Sequence, residues 1–355
     1  MSSPARVSAS DTTAERYLCT WLYGDSAAER LAHYQVRGDS SSDAFQAIYW
    51  RCVAVFFATS FRQEHAARPR HVLFTNLTSL PTVDGVSMAS LLDRLEVEIV
   101  RLPLTFTTPL GYYHQWRNQF YVFDMIHHFA RNLGDRESAV VLDSDCVWVA
   151  SAEPMWDAIR RDGLLTYVVQ YDPDWKNNGL SRRDMSRIAS SLIGRELPHP
   201  LVYCGGELLA ATGTEFRRLA PEADRVWGQL MERHARDEAV FHEEGQTLSY
   251  LYYKLGYPVG SGDPFVRRIF TDALRGRNNA SPHDHGLVAW HVPLEKRLGI
   301  RRLFRSVADE TSSFWSLPPG PNLRSHLGAA LGVPRNSMKK RALDLARRTA
   351  DKAAR

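Results

Sequence analysis

The stretch Ala139-Val-Val-Leu-Asp-Ser-Asp-Cys-Val-Trp-Val149 decides how the rest of the chain is read. Its opening residues are apolar, with two valines and no turn former among them, which suits a central strand covered on both faces. Asp143 and Asp145 follow at once and have no use in packing. Side chains at i and i+2 point to the same side of an extended backbone, so the two carboxylates can converge on one hard cation such as Mg²⁺ or Mn²⁺. In an open α/β sheet, ligands sit outside the carboxyl ends of the strands, where this pair falls. Because an Asp after a strand also caps turns and helices, the triplet has to be weighed with its surroundings.

Upstream, strand and helix patterns alternate. Residues 17–23 read as a first strand closed by Gly24-Asp25, and residues 41–67 as a helix with Phe45, Ile48, Val53, Phe56 and Phe57 at helical spacing. Strands are predicted at 71–75 and 97–102, a short helix at 87–95, and an aromatic helix at 115–131 leading into the Asp-bearing strand. This alternation predicts a parallel sheet with crossover helices and puts the Asp pair on its fourth strand. Downstream the pattern loosens: strands at 164–170, 201–204 and 287–292, helices at 222–234 and 243–255, and a polar segment at 171–183 of the kind that closes over a ligand. Beyond Phe304 it weakens, and 338–355 reads as a basic helix outside the core.

With 355 residues, 44% hydrophobic and 24% charged, the chain is long enough for one large core or two moderate domains and is no small stapled scaffold. Cys19, Cys52, Cys146 and Cys204 lack Cys-x-x-Cys spacing and lie mostly in apolar runs, as reduced buried thiols do. The formal charge of +4 is modest and much of the basic excess lies in the tail, so nucleic acid is not an expected partner. The N-terminus does not resemble a secretory signal, and the apolar run 52–59 is shorter than the roughly 20 residues of a membrane span. A cytoplasmic location is therefore expected. The basic tail reads as a solvated helix, contact with an anionic membrane being the sharper alternative. The Arg- and Ala-rich composition points to a bacterial source.

Four segments together carry a family resemblance. The first is Val140-Val-Leu-Asp-Ser-Asp-Cys-Val-Trp148, preceded by a helix bearing Arg117 and Asn118. The second is Tyr203-Cys-Gly-Gly-Glu-Leu-Leu-Ala210, and the third Glu243-Glu-Gly-Gln-Thr-Leu-Ser249 at a helix start. The fourth is Ala289-Trp-His-Val-Pro-Leu-Glu-Lys296. In this order they resemble the metal-dependent, nucleotide-sugar-using glycosyltransferases of the GT-A fold, in the layout of the glycogenin-like and lipopolysaccharide-galactosyltransferase-like group. They are similar to that family's metal-binding Asp-x-Asp, its small-residue turn facing the donor sugar, its acidic motif, and its late histidine with a following lysine. Two departures stand out: Cys204-Gly205 replaces the usual Asn-x-Gly amide, and the His-x-x-Gly-x-x-Lys spacing is not kept.

The resemblance implies an α/β, Rossmann-like, mostly parallel central sheet flanked by helices, with a less regular acceptor-side half. The organisation expected is a disordered stretch 1–15, a transferase domain 16–305 with a nucleotide-binding half 16–150 and a sugar and acceptor half 151–305, and an extension 306–355. The activity implied is that of a hexosyltransferase. A sugar would pass from a nucleoside diphosphate, UDP above all, to a glycan or small-molecule acceptor with retention of configuration, using Mn²⁺ or Mg²⁺ held by Asp143, Asp145 and His291. Glu243 and Glu244 join the two aspartates as catalytic candidates. Donor contacts are expected from Thr20, Tyr23, Asn76, Arg117, Asn118, Ser144, Gly205, Gly206 and Lys296, with Arg182 and Arg183 adding charge over the phosphates. Two rivals stand beside this: an aspartate-nucleophile phosphohydrolase in which Asp143 is phosphorylated, with Thr166 and Asp263 in the later roles, and a non-catalytic nucleotide-sugar-binding protein.

Overall fold

The structure is a computed structural model that describes residues 15–25, 42–113, 118–272 and 276–353. The expected disordered N-terminus, apart from Glu15, and Arg117 lie outside the described residues. The chain opens with β1 (Arg16–Trp21), α1 (Asp43–Phe61) and β2 (Arg70–Thr75). A hairpin of β3 (Thr82–Val83) and β4 (Val86–Ser87) and the helix α2 (Met88–Arg94) precede β5 (Val97–Arg101). Then come α3 (Tyr121–Asn132), β6 (Ser138–Leu142), β7 (Cys146–Trp148), α4 (Glu153–Asp162) and β8 (Leu164–Leu165). They are followed by α5 (Arg182–Ile193), β9 (Leu208–Thr212), α6 (Gly213–Ala235) and α7 (Glu244–Leu255). The last part holds β10 (Val266–Arg268), β11 (Thr271–Asp272), β12 (Arg277–Asn278), β13 (Ala289–His291), α8 (Gly299–Ala308), α9 (Ser313–Ser316), α10 (Pro321–Leu331) and α11 (Met338–Ala353).

This is a mixed α/β protein with a central, mostly parallel sheet flanked by helices. The main sheet runs β5-β2-β1-β6-β9-β8. Its first four strands are mutually parallel, and β9 is antiparallel to both its neighbours. Period-two alternation sends Leu18, Leu73, Val140 and Leu142 into one buried cluster and Cys19, Val72, Phe74, Ala139 and Val141 into the other. Both faces are therefore covered, as the apolar run at 139–142 anticipates. The four cysteines are free and buried. Helix α1 is long and apolar enough to cross a bilayer, yet most of it is buried within the protein, chiefly in the cluster on one face of the sheet.

Three expectations need correction. The strand predicted at 164–170 stops at Leu165, and 201–204 contributes only an isolated bridge, Cys204 to Val168. The chain between β8 and β9 stays at the carboxyl edge of the sheet, so β9 enters there and must run antiparallel. Within that excursion the segment read as a loop up to 183 gives way to α5, started by a capping box of Ser181 and Asp184. Finally, the segment beyond 305 packs into the molecule instead of trailing from it. Val307, Phe314, Leu323, Leu327 and Leu331 join the core, and α11 buries Lys340 and Asp344.

One buried group couples this packing to pH. Burial holds the His71 imidazole down at about 4, and its Nε2 meets the Ser60 hydroxyl at 2.9 Å. Because the unfolded chain takes up this proton at a pH near 6.5, the stability is complete above that pH and is lost as pH falls towards 4, by about 3 kcal/mol. Urea midpoints of the wild type should fall over this window, and the slope should lose one proton's worth in His71→Gln. An unchanged slope refutes the assignment.

Candidate functional site

Asp143 and Asp145 lie where β6 hands over to β7. A turn closed by the Cys146 N–H on the Asp143 carbonyl (2.9 Å) brings the carboxylates together, so they converge through a turn and not along extended backbone as expected. Strand β7 belongs to a second, three-stranded sheet, β10-β13-β7, in which His291 pairs with Cys146. That register, with the Val292 N–H donated to the Asp145 carbonyl (3.1 Å), carries His291 to the aspartates. His291 Nε2 lies 3.3 Å from Asp145 Oδ2 and 3.8 Å from Asp143 Oδ2. One ligand atom from each of the three residues falls within 4.8 Å of the others. Metal–oxygen bonds of about 2.1 Å spread ligand atoms roughly 3–4 Å apart, so two carboxylates and an imidazole in this arrangement fit one divalent cation.

Charge around the triad is tightly paired. Lys296 Nζ forms an ion pair with Asp145 Oδ2, and Arg268 donates from Nε to Glu207 Oε1 (2.9 Å), with Nη2 in ion-pair contact with the same oxygen at 2.8 Å. Burial pushes the Asp145 carboxyl up, but Lys296 and His291 more than offset this and hold it well below the usual carboxylate range. Asp143, with a third of its side chain exposed, is instead raised to about 6 by desolvation and by Asp145. Against its own desolvation, the His291 imidazole is raised to about 9 by Asp145 and Glu207. Burial opposes the ionised Glu207 too, yet Arg268 and His291 bring it to about 2.

These groups open onto a cavity of about 720 Å³, well within the range of small-ligand sites. Of the expected donor contacts, Tyr23, Ser144, Gly206 and Lys296 line it. Tyr23 stacks on Trp21, also on the wall, with centroids 5.5 Å apart. Gly206 leaves room for the Glu244 carboxylate, which a Cβ there would displace. The others are used elsewhere. Thr20 donates its hydroxyl to the Leu142 carbonyl (2.8 Å), and Asn76 clamps both backbone groups of Gly24 (2.8 and 3.1 Å). Asn118 donates to Asp25 (2.8 Å), which lines the wall in its place. Gly205 lies behind the wall, making room for Glu207. Arg182 donates to the Leu201 carbonyl (2.9 Å) and Arg183 pairs with Asp174, so neither joins the cavity.

The two members of the acidic pair both line the cavity and their carboxyls are hydrogen-bonded to each other, but they do different work. Glu243 caps α7, its carboxylate accepting from Gly245 N (2.9 Å), Gln246 N (3.1 Å) and the Tyr203 hydroxyl (3.1 Å). Glu244 is buried on the cavity wall with no hydrogen-bond partner at Oε2, and desolvation together with Glu243 and Asp143 pushes its carboxyl well up. The phosphohydrolase reading fares differently. Thr166 donates to the Pro258 carbonyl (2.8 Å) and Asp263 accepts from Val168 N (2.8 Å), and neither lines the cavity. Glu207, Arg268 and Trp175 were missed as site residues. The only advance signal was a carboxylate, Glu207, standing directly after a glycine pair ahead of an apolar run.

No family model matches the chain, and no curated protein does. Among solved structures, the chain is similar to the galactosyltransferase LgtC crystallised in complex with donor and acceptor sugar analogues. The match covers 84% of this chain and 99% of that one, at 12% identity and a TM-score of 0.47.

Proposed function

We propose that this chain is a metal-dependent glycosyltransferase of the GT-A type, a hexosyltransferase that moves a sugar from a UDP-sugar to a glycan or small-molecule acceptor with retention of configuration. One observation supports it above the rest. Two sheets deliver Asp143, Asp145 and His291 to one point of a cavity whose wall also carries Lys296. Asp145, His291 and Asp143 would hold Mn²⁺ or Mg²⁺. A cation held there supplies Lewis-acid stabilisation of the charge that builds on the departing diphosphate.

The chain's own groups divide the remaining work. Lys296 keeps Asp145 ionised and brings a second positive charge to the phosphate end. The proposed sugar contact falls to Glu244, because Glu243 is spent on capping its helix. With its carboxyl pushed up, Glu244 keeps its proton to higher pH than an ordinary carboxylate, and in that form it can donate to a sugar hydroxyl. Replacing it tests this role. Glu244→Ala should lower kcat/KM for the donor by roughly tenfold to a hundredfold, the cost of one strong hydrogen bond. Mn²⁺ affinity should be untouched, and Glu244→Gln should retain most of the rate. Equal kinetics in wild type and Glu244→Ala would remove Glu244 from the site.

The function itself is tested by thermal melts with UDP and UDP-sugars, with and without Mn²⁺, followed by donor hydrolysis. Stabilisation by the nucleotide only when Mn²⁺ is present, with metal-dependent turnover, is expected. Binding without turnover would leave a carrier, and phosphate release from a simple phosphomonoester would favour the aspartate-nucleophile hydrolase.

A further inference from the structure

We propose that Glu207 is the positioning residue of the metal centre: its carboxylate fixes the His291 ring so that Nε2, and not Nδ1, faces the two aspartates. This rests on the metal site of the proposed function and concerns a residue outside the ligand set.

The backbone alone does not orient that ring. Pairing of β13 with β7 fixes the His291 backbone, but an imidazole can still turn about its terminal torsion and put carbons where its nitrogens stood. Glu207 supplies the missing constraint. Its Oε1 lies 3.3 Å from His291 Nδ1, on the side of the ring away from Asp145, and its side chain is 1% exposed. The carboxylate is itself held. Arg268 grips the same oxygen through two nitrogens, and β10 places Arg268 opposite His291 in register. The Arg268 N–H donates to the Tyr167 hydroxyl (2.9 Å). On the other flank the Asp143 N–H donates to the Glu207 carbonyl (3.2 Å), so one residue touches both the carboxylate arm and the histidine arm of the triad. Gly205 leaves the space this side chain occupies, since a Cβ there would strike the Glu207 carboxylate. A histidine ligand whose second nitrogen meets a carboxylate is locked in tautomer and direction, and loss of such a partner costs about 10–100-fold in metal affinity.

Mn²⁺ titration followed by the electron paramagnetic resonance signal of the free ion reads this without any substrate. Glu207→Leu should weaken binding by about 10–100-fold, and Glu207→Gln, which keeps an acceptor oxygen beside Nδ1, should recover most of it. In a His291→Ala background, Glu207→Leu should cost nothing further. Wild-type affinity in folded Glu207→Leu overturns the proposal, as does an undiminished effect in the His291→Ala background. If Glu207→Leu does not fold, Glu207→Asp withdraws the carboxylate by one methylene, and unchanged affinity there overturns it equally. A wild-type protein that leaves the free Mn²⁺ signal intact fails the metal reading itself, a result distinct from all of these.

Discussion

Asp145→Asn is expected to lose Mn²⁺ binding and donor turnover by about 10²–10³-fold and to destabilise the protein, whereas Asp143→Asn loses the first and spares the second. The two carboxylates are separated by a single serine but stand in different surroundings. Asp145 is 2% exposed, is the nearest counter-charge of Lys296, and shares His291 with Glu207, both cationic groups being buried. Neutralising it leaves Lys296 in the interior without its closest partner and His291 with Glu207 alone, the situation that costs about 3–5 kcal/mol when a buried ion pair is broken from one side. Asp143 is a third exposed, and its carboxyl is raised to about 6 by burial and by Asp145. A carboxyl whose pKa rises on folding opposes the fold when ionised, so removing its charge at neutral pH leaves stability unchanged or slightly improved. Urea unfolding of the two variants beside Mn²⁺ titrations checks this. Equal destabilisation by both would show that the charge network around the triad has been misread.

Lys340→Met should cost about 3–5 kcal/mol, unusual for a substitution in a basic C-terminal helix. Lys340 Nζ lies 2.8 Å from Glu295 Oε1 and 2.6 Å from Asp344 Oδ2, in a pocket where all three side chains are buried. Arg302 also pairs with Asp344 at 2.8 Å, so the carboxylate left exposed to the loss is Glu295. Desolvation already pushes that carboxyl up, and Lys340 opposes the shift. Glu295 immediately precedes Lys296 and accepts from the Gly299 N–H (2.9 Å), so α11 is tied through it to the segment that meets Asp145. Adding Glu295→Leu should restore much of the stability, because neither charge is then left alone. A Lys340→Met protein with wild-type urea midpoint would mean that α11 does not pack as described.

How much of this was legible from residues alone follows a physical line. Apolar periodicity is a local property, so the buried strand 138–142, the alternation of β1, α1, β2, α2 and β5, and the carboxylates at the sheet's rim could be read directly. Residue chemistry nominated Asp143 and Asp145, the family resemblance added His291, and the structure brings the three together. The capping pair Ser181 and Asp184, followed by Met185, Ile188 and Ala189 on one face, was also present in the sequence but was masked by the polar residues before it. What could not be read is where each polar side chain spends its hydrogen bonds. Thr20 goes to Leu142, Asn76 to Gly24 and Glu243, though on the cavity wall, to its own helix, while Glu244 keeps an unpartnered oxygen there. Glu207 meets His291 only because two separate sheets abut, and Arg268 stands beside them through the pairing of β10 with β13. Each of these outcomes depends on a partner distant in sequence, and the cost of leaving a polar group unpaired inside the protein is settled only after the elements have packed.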